Sequence, residues 1–256
     1  MRRYLLVGAS SGIGLALSTL LSRERVINFS RTPCTTEGVV NYQVDVSDRA
    51  SLDEGIAALK RGNNLPTDIV YLAGTSMCAP FATVKEEHYR KLWEVNYFAA
   101  CHLTQALLPY LDGGHVVWVS SMAGAIPIPF DPFYSASKAA MNATLLDLAA
   151  ELPNVKFCAV LPGGTRTGFT AKRLVYDKDH SGSYYDKVLA SSAALASVEQ
   201  SGQTPQAVAK AIYRILHLSH PPQLMPTGSN RILYLASRLL PARWQVSVLK
   251  KMFGLS

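Results

Sequence analysis

The chain has 256 residues, 48% of them apolar, with 25 basic and 18 acidic side chains and a formal net charge of +7. That apolar content excludes a disordered chain, and no apolar run approaches the ~18 residues a membrane-spanning helix needs. Cys34, Cys78, Cys101 and Cys158 form no CxxC pair and no zinc-finger spacing, which argues against a disulfide framework or a metal site and for a reducing, cytoplasmic setting.

The N-terminal apolar run, Tyr4 to Val7, is too short for the core of a signal peptide. It belongs to "RYLLVG" (3–8), the first of a series of β-rich runs. The others are "RVINFS" (25–30), "VNYQVDV" (40–46), "DIVYLAG" (68–74), "HVVWVSS" (115–121) and "VKFCAVL" (155–161), with a short seventh near "QLMP" (223–226). Helical stretches start near Gly12, Ser51, Glu86, Ser135 and Thr204. The alternation, with strands apolar almost throughout, predicts an α/β fold: a doubly wound parallel sheet of about seven strands, helices on both faces, in one domain over 1–256. The connection from Arg31 to Val40 is too short and polar for a covering helix, so a loop is expected. Residues 168–203 form a long insertion of polar and small residues, expected to act as a lid.

Two local features carry chemistry. The first strand runs into "GASSGIG", where Gly8, Gly12 and Gly14 would let the backbone approach a pyrophosphate at a helix N-terminus. The spacing is GxxxGxG, unlike the commoner GxGxxG. In "FDPFYSASKAA", Tyr134 and Lys138 stand one helical turn apart. An ammonium there can favour the phenolate and make the tyrosine a usable proton donor and acceptor. The blander reading is an ordinary aromatic–basic pair on a helix surface.

Taken in order, "GASSGIG", "EVNYFAA", "VSSMAG", "YSASK" and "PGGTRT" resemble the short-chain dehydrogenase/reductase family, over about residues 4–216. The resemblance implies a Rossmann-like fold, a nicotinamide dinucleotide, and hydride transfer between that cofactor and a carbonyl or alcohol carbon. It makes Tyr134 the general acid or base and Lys138 the group that lowers the phenol's pKa and bonds the nicotinamide ribose. Ser121, thirteen positions before the tyrosine, would hold the substrate oxygen, with Ser120 its near competitor. Asn96 would anchor a water linking Lys138 to solvent. Gly8, Ser10, Ser11, Gly12, Ile13 and Gly14 would cradle the pyrophosphate, Asp45 and Val46 the adenine, and Ala73 and Gly74 the adjoining turn. Pro162, Gly163, Thr165 and Thr167 would surround the nicotinamide carboxamide and pyrophosphate.

The end of the second strand speaks to cofactor choice. An NAD enzyme of this architecture needs an acid there for the ribose hydroxyls. Here Ser30 and Arg31 offer a hydroxyl and a guanidinium suited to a 2′-phosphate, so NADP(H) is expected over NAD(H). Val7, Tyr71 and Leu72 depart from the family pattern, the last two replacing asparagines that tie neighbouring strands together. A carbonyl reductase or alcohol dehydrogenase is the expected activity. A sugar-nucleotide epimerase or dehydratase and a non-catalytic NADP-binding interaction protein remain as alternatives. Pro127, Ile128, Pro129, Phe130 and Phe133 point to an apolar small-molecule substrate, and nothing points to nucleic acid. The resemblance implies a homodimer or homotetramer through the helices bearing Asn96 and Tyr134, where Ala139, Ala140 and Ala143 permit close approach.

The net charge sits in the tail. Beyond Glu199 come seven basic residues and no acidic one, while residues 1–199 balance. Within the extension 226–256, apolar positions 232, 235, 236, 239 and 240 suggest one helical face, and Trp244, Val248, Leu249 and Met252 another after Pro241. Packing over the pocket or against a second subunit is the first expectation. Peripheral contact with an anionic membrane is the other.

Overall fold

The computed structural model describes residues 2–228 and 230–255, with Asn230 and Arg231 described in backbone only. Strands β1 (Arg3–Val7), β2 (Arg25–Ser30), β3 (Val40–Gln43) and β4 (Asp68–Tyr71) form where the sequence places them. They flank helices α1 (Gly12–Leu20) and α2 (Arg49–Arg61), and residues 31–39 are a loop, as expected. A two-residue strand β5 (Met77–Cys78) precedes α3 (Glu86–Trp93). That helix continues through a π turn, Glu94–Phe98, into α4 (Ala99–Leu107). Strand β6 (His115–Val119), α5 (Pro132–Glu151) and β7 (Lys156–Leu161) follow, α5 starting at Asp131-Pro132, three residues ahead of the expected Ser135.

The main sheet is entirely parallel, in the order β3-β2-β1-β4-β6-β7-β9, where β9 is the short strand Leu224–Pro226. Chain order reverses between β1 and β4, which opens a crevice at their carboxyl ends. Period-two alternation along each strand splits the core in two. Leu5 and Val7 join Ile27, Ile69 and Trp118 under α2, α4 and α5, while Tyr4 and Leu6 join Val70, Val117 and Val160 under α1 and α8 (Pro205–Ile215). Thr204 caps α8 by accepting from Ala207 N, and proline opens its first turn.

Two regions hold structure that the sequence reading did not specify. The insertion 168–203 is folded: β8 (Leu174–Val175) pairs with β5, α6 (Lys178–Ser181) is a single turn, and α7 (Tyr185–Gln200) is a 16-residue helix. Its buried face is Val188, Ser191 and Leu195, spaced three and four apart but too small and polar to stand out in the sequence. The tail forms α9 (Asn230–Leu239) and α10 (Ala242–Met252), and neither covers the pocket. Their apolar stripes face solvent because the sides that dock are the other ones, through Tyr234 and Ser237 of α9 and Gln245 and Phe253 at α10. Among the described residues no helix is long and apolar enough to cross a membrane.

At the amino end of the sheet, His115 and Asp68 are both fully buried. His115 N and Nδ1 each lie 3.0 Å from Asp68 Oδ1, and Nε2 lies 2.9 Å from Leu218 O. Burial alone would push the Asp68 carboxyl up, but bonds from His115 and Thr67 and the nearby Arg2 charge hold it below its ordinary value. A group so depressed stabilises the fold above the ordinary carboxylate range, and that contribution fades as pH falls through its native value. His115→Leu should therefore cost about 3–5 kcal/mol at neutral pH, by stranding a buried carboxylate, and less in acid. Urea denaturation at the two pH values checks both parts.

Candidate active site

The crevice between β1 and β4 is a cleft of ≈ 760 Å³, a volume in the range that encloses small ligands and cofactors. Gly8, Ser10, Ser11, Gly12 and Ile13 form one wall, Ser30, Arg31, Asp45 and Val46 one end, and Ala73, Gly74 and Thr167 the far side. Gly8 and Gly12 take φ of 99° and 56°, which side chains disfavour, and a Cβ on Gly12 would press on Thr167 at 3.3 Å. Gly14 lies beneath the cleft: a Cβ there would stand 2.2 Å from Gly8 O, so glycine is what lets α1 sit against the end of β1. Pro162, Gly163 and Thr165 do not line the cleft. Pro162 O accepts from Met122 N, and Thr165 bridges to Gln203.

At the adenosine end, no carboxylate follows β2. Ser30 donates its hydroxyl proton to Asn28 Oδ1 at 2.8 Å and lines the cleft beside Arg31. Asn28, unremarked in the sequence, also accepts from Ala9 N and donates to Asn41, tying the glycine turn to β2 and β3. The signal was one asparagine inside an apolar strand. Asp45 is pushed up by burial, yet bonds from Ser47 N and Oγ and the charges of Arg31 and Lys91 leave it below its ordinary value. Arg31 is exposed, and Lys91 joins it on the cleft wall.

Tyr134, Lys138, Ser121 and Asn96 come together behind this cleft, at the carboxyl end of β6 and the start of α5. Ser121 follows β6 and accepts from Ala123 N at 3.0 Å, and its hydroxyl is near enough to the Tyr134 phenol to lower its pKa. Ser120 points the other way, donating to Lys138 O at 3.0 Å inside the protein. Of the two serines, Ser121 is the one beside Tyr134. Asn96 sits in the π turn, where the irregular backbone turns its side chain inward. Its Nδ2 donates to Thr75 O and Ser137 Oγ and its Oδ1 accepts from Thr75 N, so both amide protons are committed. Tyr71, which stands where the family has asparagine, replaces that tie with another by donating to Val95 O, the carbonyl just before Asn96. From the insertion, Phe169 lines the cleft and lies 6.1 Å from the Tyr134 ring, whereas Tyr134 itself lines none of it.

Burial dominates the electrostatics of the pair. It pushes the Tyr134 phenol up to about 12, opposed chiefly by the Ser121 hydroxyl. The Lys138 amine is 5.7 Å from the Tyr134 ring centre and donates to Val119 O at 2.9 Å instead. With no carboxylate partner, burial pushes it down to about 7. Three further groups act on the tyrosine. Asp131, the buried residue ahead of α5, accepts from Met77 N at 3.4 Å and is pushed well above its ordinary value by burial. Arg173, just before β8, donates to Ser76 Oγ and to Glu199 at the end of α7, pinning both ends of the insertion to the loop after β4. These long-range partners carry no sequence signal. Asp131 had one, an Asp-Pro helix start.

On one side of Tyr134 lies an apolar cluster. Met77, Ala79, Leu92 and Tyr176 are buried together, with Phe133 stacked on Tyr89 at 4.4 Å and Phe81 beyond it. Phe130 holds a left-handed backbone (φ 64°) and accepts from Ala79 N, fixing the approach to α5.

A glycine-lined crevice at the switch point of a parallel sheet, with tyrosine, lysine, serine and asparagine converging behind it, defines a dinucleotide-dependent oxidoreductase. Residues 2–175 match the family described as short chain dehydrogenase. A 3-ketodihydrosphingosine reductase of Bacteroides thetaiotaomicron is 30% identical over 227 residues, covering 85% of this chain and 84% of its own. Retinol dehydrogenase 8 of Bos taurus is 29% identical over 261 residues, covering 90% and 82%. A short-chain dehydrogenase from Streptomyces avermitilis superposes with a TM-score of 0.82 at 25% identity, covering 98% and 97%. The chain belongs to the short-chain dehydrogenase family and is an oxidoreductase of that type.

Lys138 offers a direct check of the site's interior. Its folded value lies below its unfolded one, so the native state binds fewer protons from about 7 up to the ordinary lysine value, and stability rises with pH across that window. Lys138→Met lacks this gain. The wild type should improve relative to the variant by up to about 1.4 kcal/mol per pH unit, read from denaturation midpoints on either side of neutrality.

Proposed function

We propose that the protein is an NADP(H)-dependent reductase of apolar, lipid-like ketones or aldehydes, or the corresponding alcohol dehydrogenase in reverse. The observation that carries this reading is the approach of the Ser121 hydroxyl to the Tyr134 phenol behind a dinucleotide-sized cleft. The nicotinamide, when bound, supplies or accepts the hydride. Ser121 and Tyr134 hold the substrate oxygen, stabilise the charge that develops on it, and Tyr134 passes it a proton. Lys138, buried at the tyrosine's back, becomes the ammonium once an anionic cofactor lies near it and then favours loss of the phenolic proton. Asn96 keeps the turn at Gly74 and Thr75 in place, and its remaining acceptor capacity suits a water that returns the proton to Lys138.

Several features support the finer choices. Arg31 and Lys91, with no acid at the end of β2, favour a 2′-phosphate beside Asp45. The aromatic cluster beside Tyr134 favours an apolar substrate, and the names 3-ketodihydrosphingosine reductase and retinol dehydrogenase point the same way. Phe169, Arg173 and Glu199 make the insertion 168–203 a lid that closes over the phenol. A dimer through α4 and α5 is part of the same reading, since Phe98, Ala139, Ala143 and Leu146 stand exposed there.

NADPH absorbance followed across ketones, aldehydes, steroids and acyl thioesters tests the activity. With the compound so identified, Tyr134→Phe should lower kcat by about 10²–10⁴-fold while NADPH binding is unchanged. A variant as fast as the wild type would overturn the assignment. Arg31→Ala should weaken NADPH about 10- to 100-fold with little effect on NADH, measured by fluorescence titration. An unchanged ratio would remove the NADP preference.

A further inference from the structure

The two C-terminal helices are amphipathic in the inverse sense for a soluble protein. In α9, Ile232, Leu235 and Leu239 follow one another at three and four residues and are 79%, 62% and 85% exposed. The docked side of the helix is the more polar one, with Ser237 buried and Tyr234 half-buried against the core. In α10, Trp244, Val248 and Met252 recur every four residues, all exposed, Trp244 at 58%. The hairpin is fixed by Gln245, whose Nε2 donates to Ser237 O and Leu240 O, and by Phe253, which is buried. Two outward apolar stripes on adjoining helices are a patch that water alone does not favour.

Charge identifies the occupant. Arg238 adjoins Leu239, Arg243 adjoins Trp244, and Lys250 and Lys251 adjoin Met252, in a stretch that holds no acidic side chain after Glu199. Long basic side chains flanking an apolar stripe with a tryptophan suit an interface where hydrocarbon meets anionic headgroups. A second copy of the chain is disfavoured on the same ground, since two-fold pairing would oppose two acid-free basic patches. The remainder of the molecule, residues 1–199, balances its charges, so the net positive charge belongs to this end of the chain. Strand β9 ends opposite Leu161, so α9 begins at the carboxyl edge of the sheet, the edge that carries the cleft.

We propose that α9 and α10 are a docking surface for an anionic lipid bilayer, which they grip peripherally by their apolar stripes with the basic residues at headgroup level. The inference does not depend on the substrate assigned to the cleft. The full-length protein should sediment with phosphatidylcholine vesicles containing phosphatidylserine at low salt, and release at high salt. Each basic group near such a surface contributes roughly fivefold to partitioning, so replacing Arg238, Arg243, Lys250 and Lys251 by Gln should reduce binding more than tenfold. Leu239→Glu with Trp244→Glu should do the same while the far-ultraviolet circular dichroism and NADPH binding match the wild type, separating lost docking from lost folding. Three results would each overturn the proposal: no vesicle binding by the wild type at low salt, equal binding to pure phosphatidylcholine, or a dimer that the Glu variant dissociates while vesicles are ignored.

Discussion

Helix α5 lies against the turn after β6, Met122–Gly124, so closely that a single methyl group would force them apart. A Cβ on Gly124 would stand 2.7 Å from the carbonyl carbon and 2.8 Å from the carbonyl oxygen of Lys138, and 2.7 Å from Asn142 Nδ2. Ser120 fastens the same carbonyl from the strand side, and Lys138 returns its amine to Val119 O. This contact brings Ser121 to Tyr134 and seals Lys138 in a medium where its charge is disfavoured. Relaxing it would let the serine and the phenol drift apart and let water reach the amine.

Around that contact the protein distributes two kinds of support. The cofactor side relies on glycine and backbone: Gly8, Gly12 and Gly14 remove side chains where α1 meets β1, and Asn28 locks the turn from below. The substrate side relies on side chains from distant segments. Asp131, Arg173, Glu199 and Ser76 join the start of α5, both ends of the insertion and the loop after β4 through buried polar bonds. Buried charges of this kind add little net stability, but they hold the parts in register.

The electrostatic picture changes how the tyrosine–lysine pair is understood. One helical turn of spacing suggests a cation acidifying a phenol. In the folded chain both groups are instead disfavoured in their charged forms, the phenol up to about 12 and the amine down to about 7. Desolvation dominates because neither has a counter-charge of opposite sign in contact. A nearby anion would favour the charged form of such a buried amine.

What the sequence alone determined was local. Strands such as Arg3–Val7 and Lys156–Leu161 could be read because a strand buried on both faces must be apolar along its length. The turn after β1 could be read because glycines clustered between a strand and a helix mark a backbone that must bend where side chains would not fit. The positions of Tyr134, Lys138, Ser121 and Asn96 followed from ordered motifs. Tertiary structure alone decided what those groups face. It turned Ser121 toward Tyr134 and Ser120 toward Lys138 O, since neighbouring residues on an extended backbone point to opposite sides. It turned Ser30 to Asn28, made a helix of residues 185–200, and left the apolar stripes of 230–252 in solvent. Each of these outcomes depends on how the whole chain packs, and burial, the quantity that fixes a pKa or exposes a leucine, exists only once it has packed.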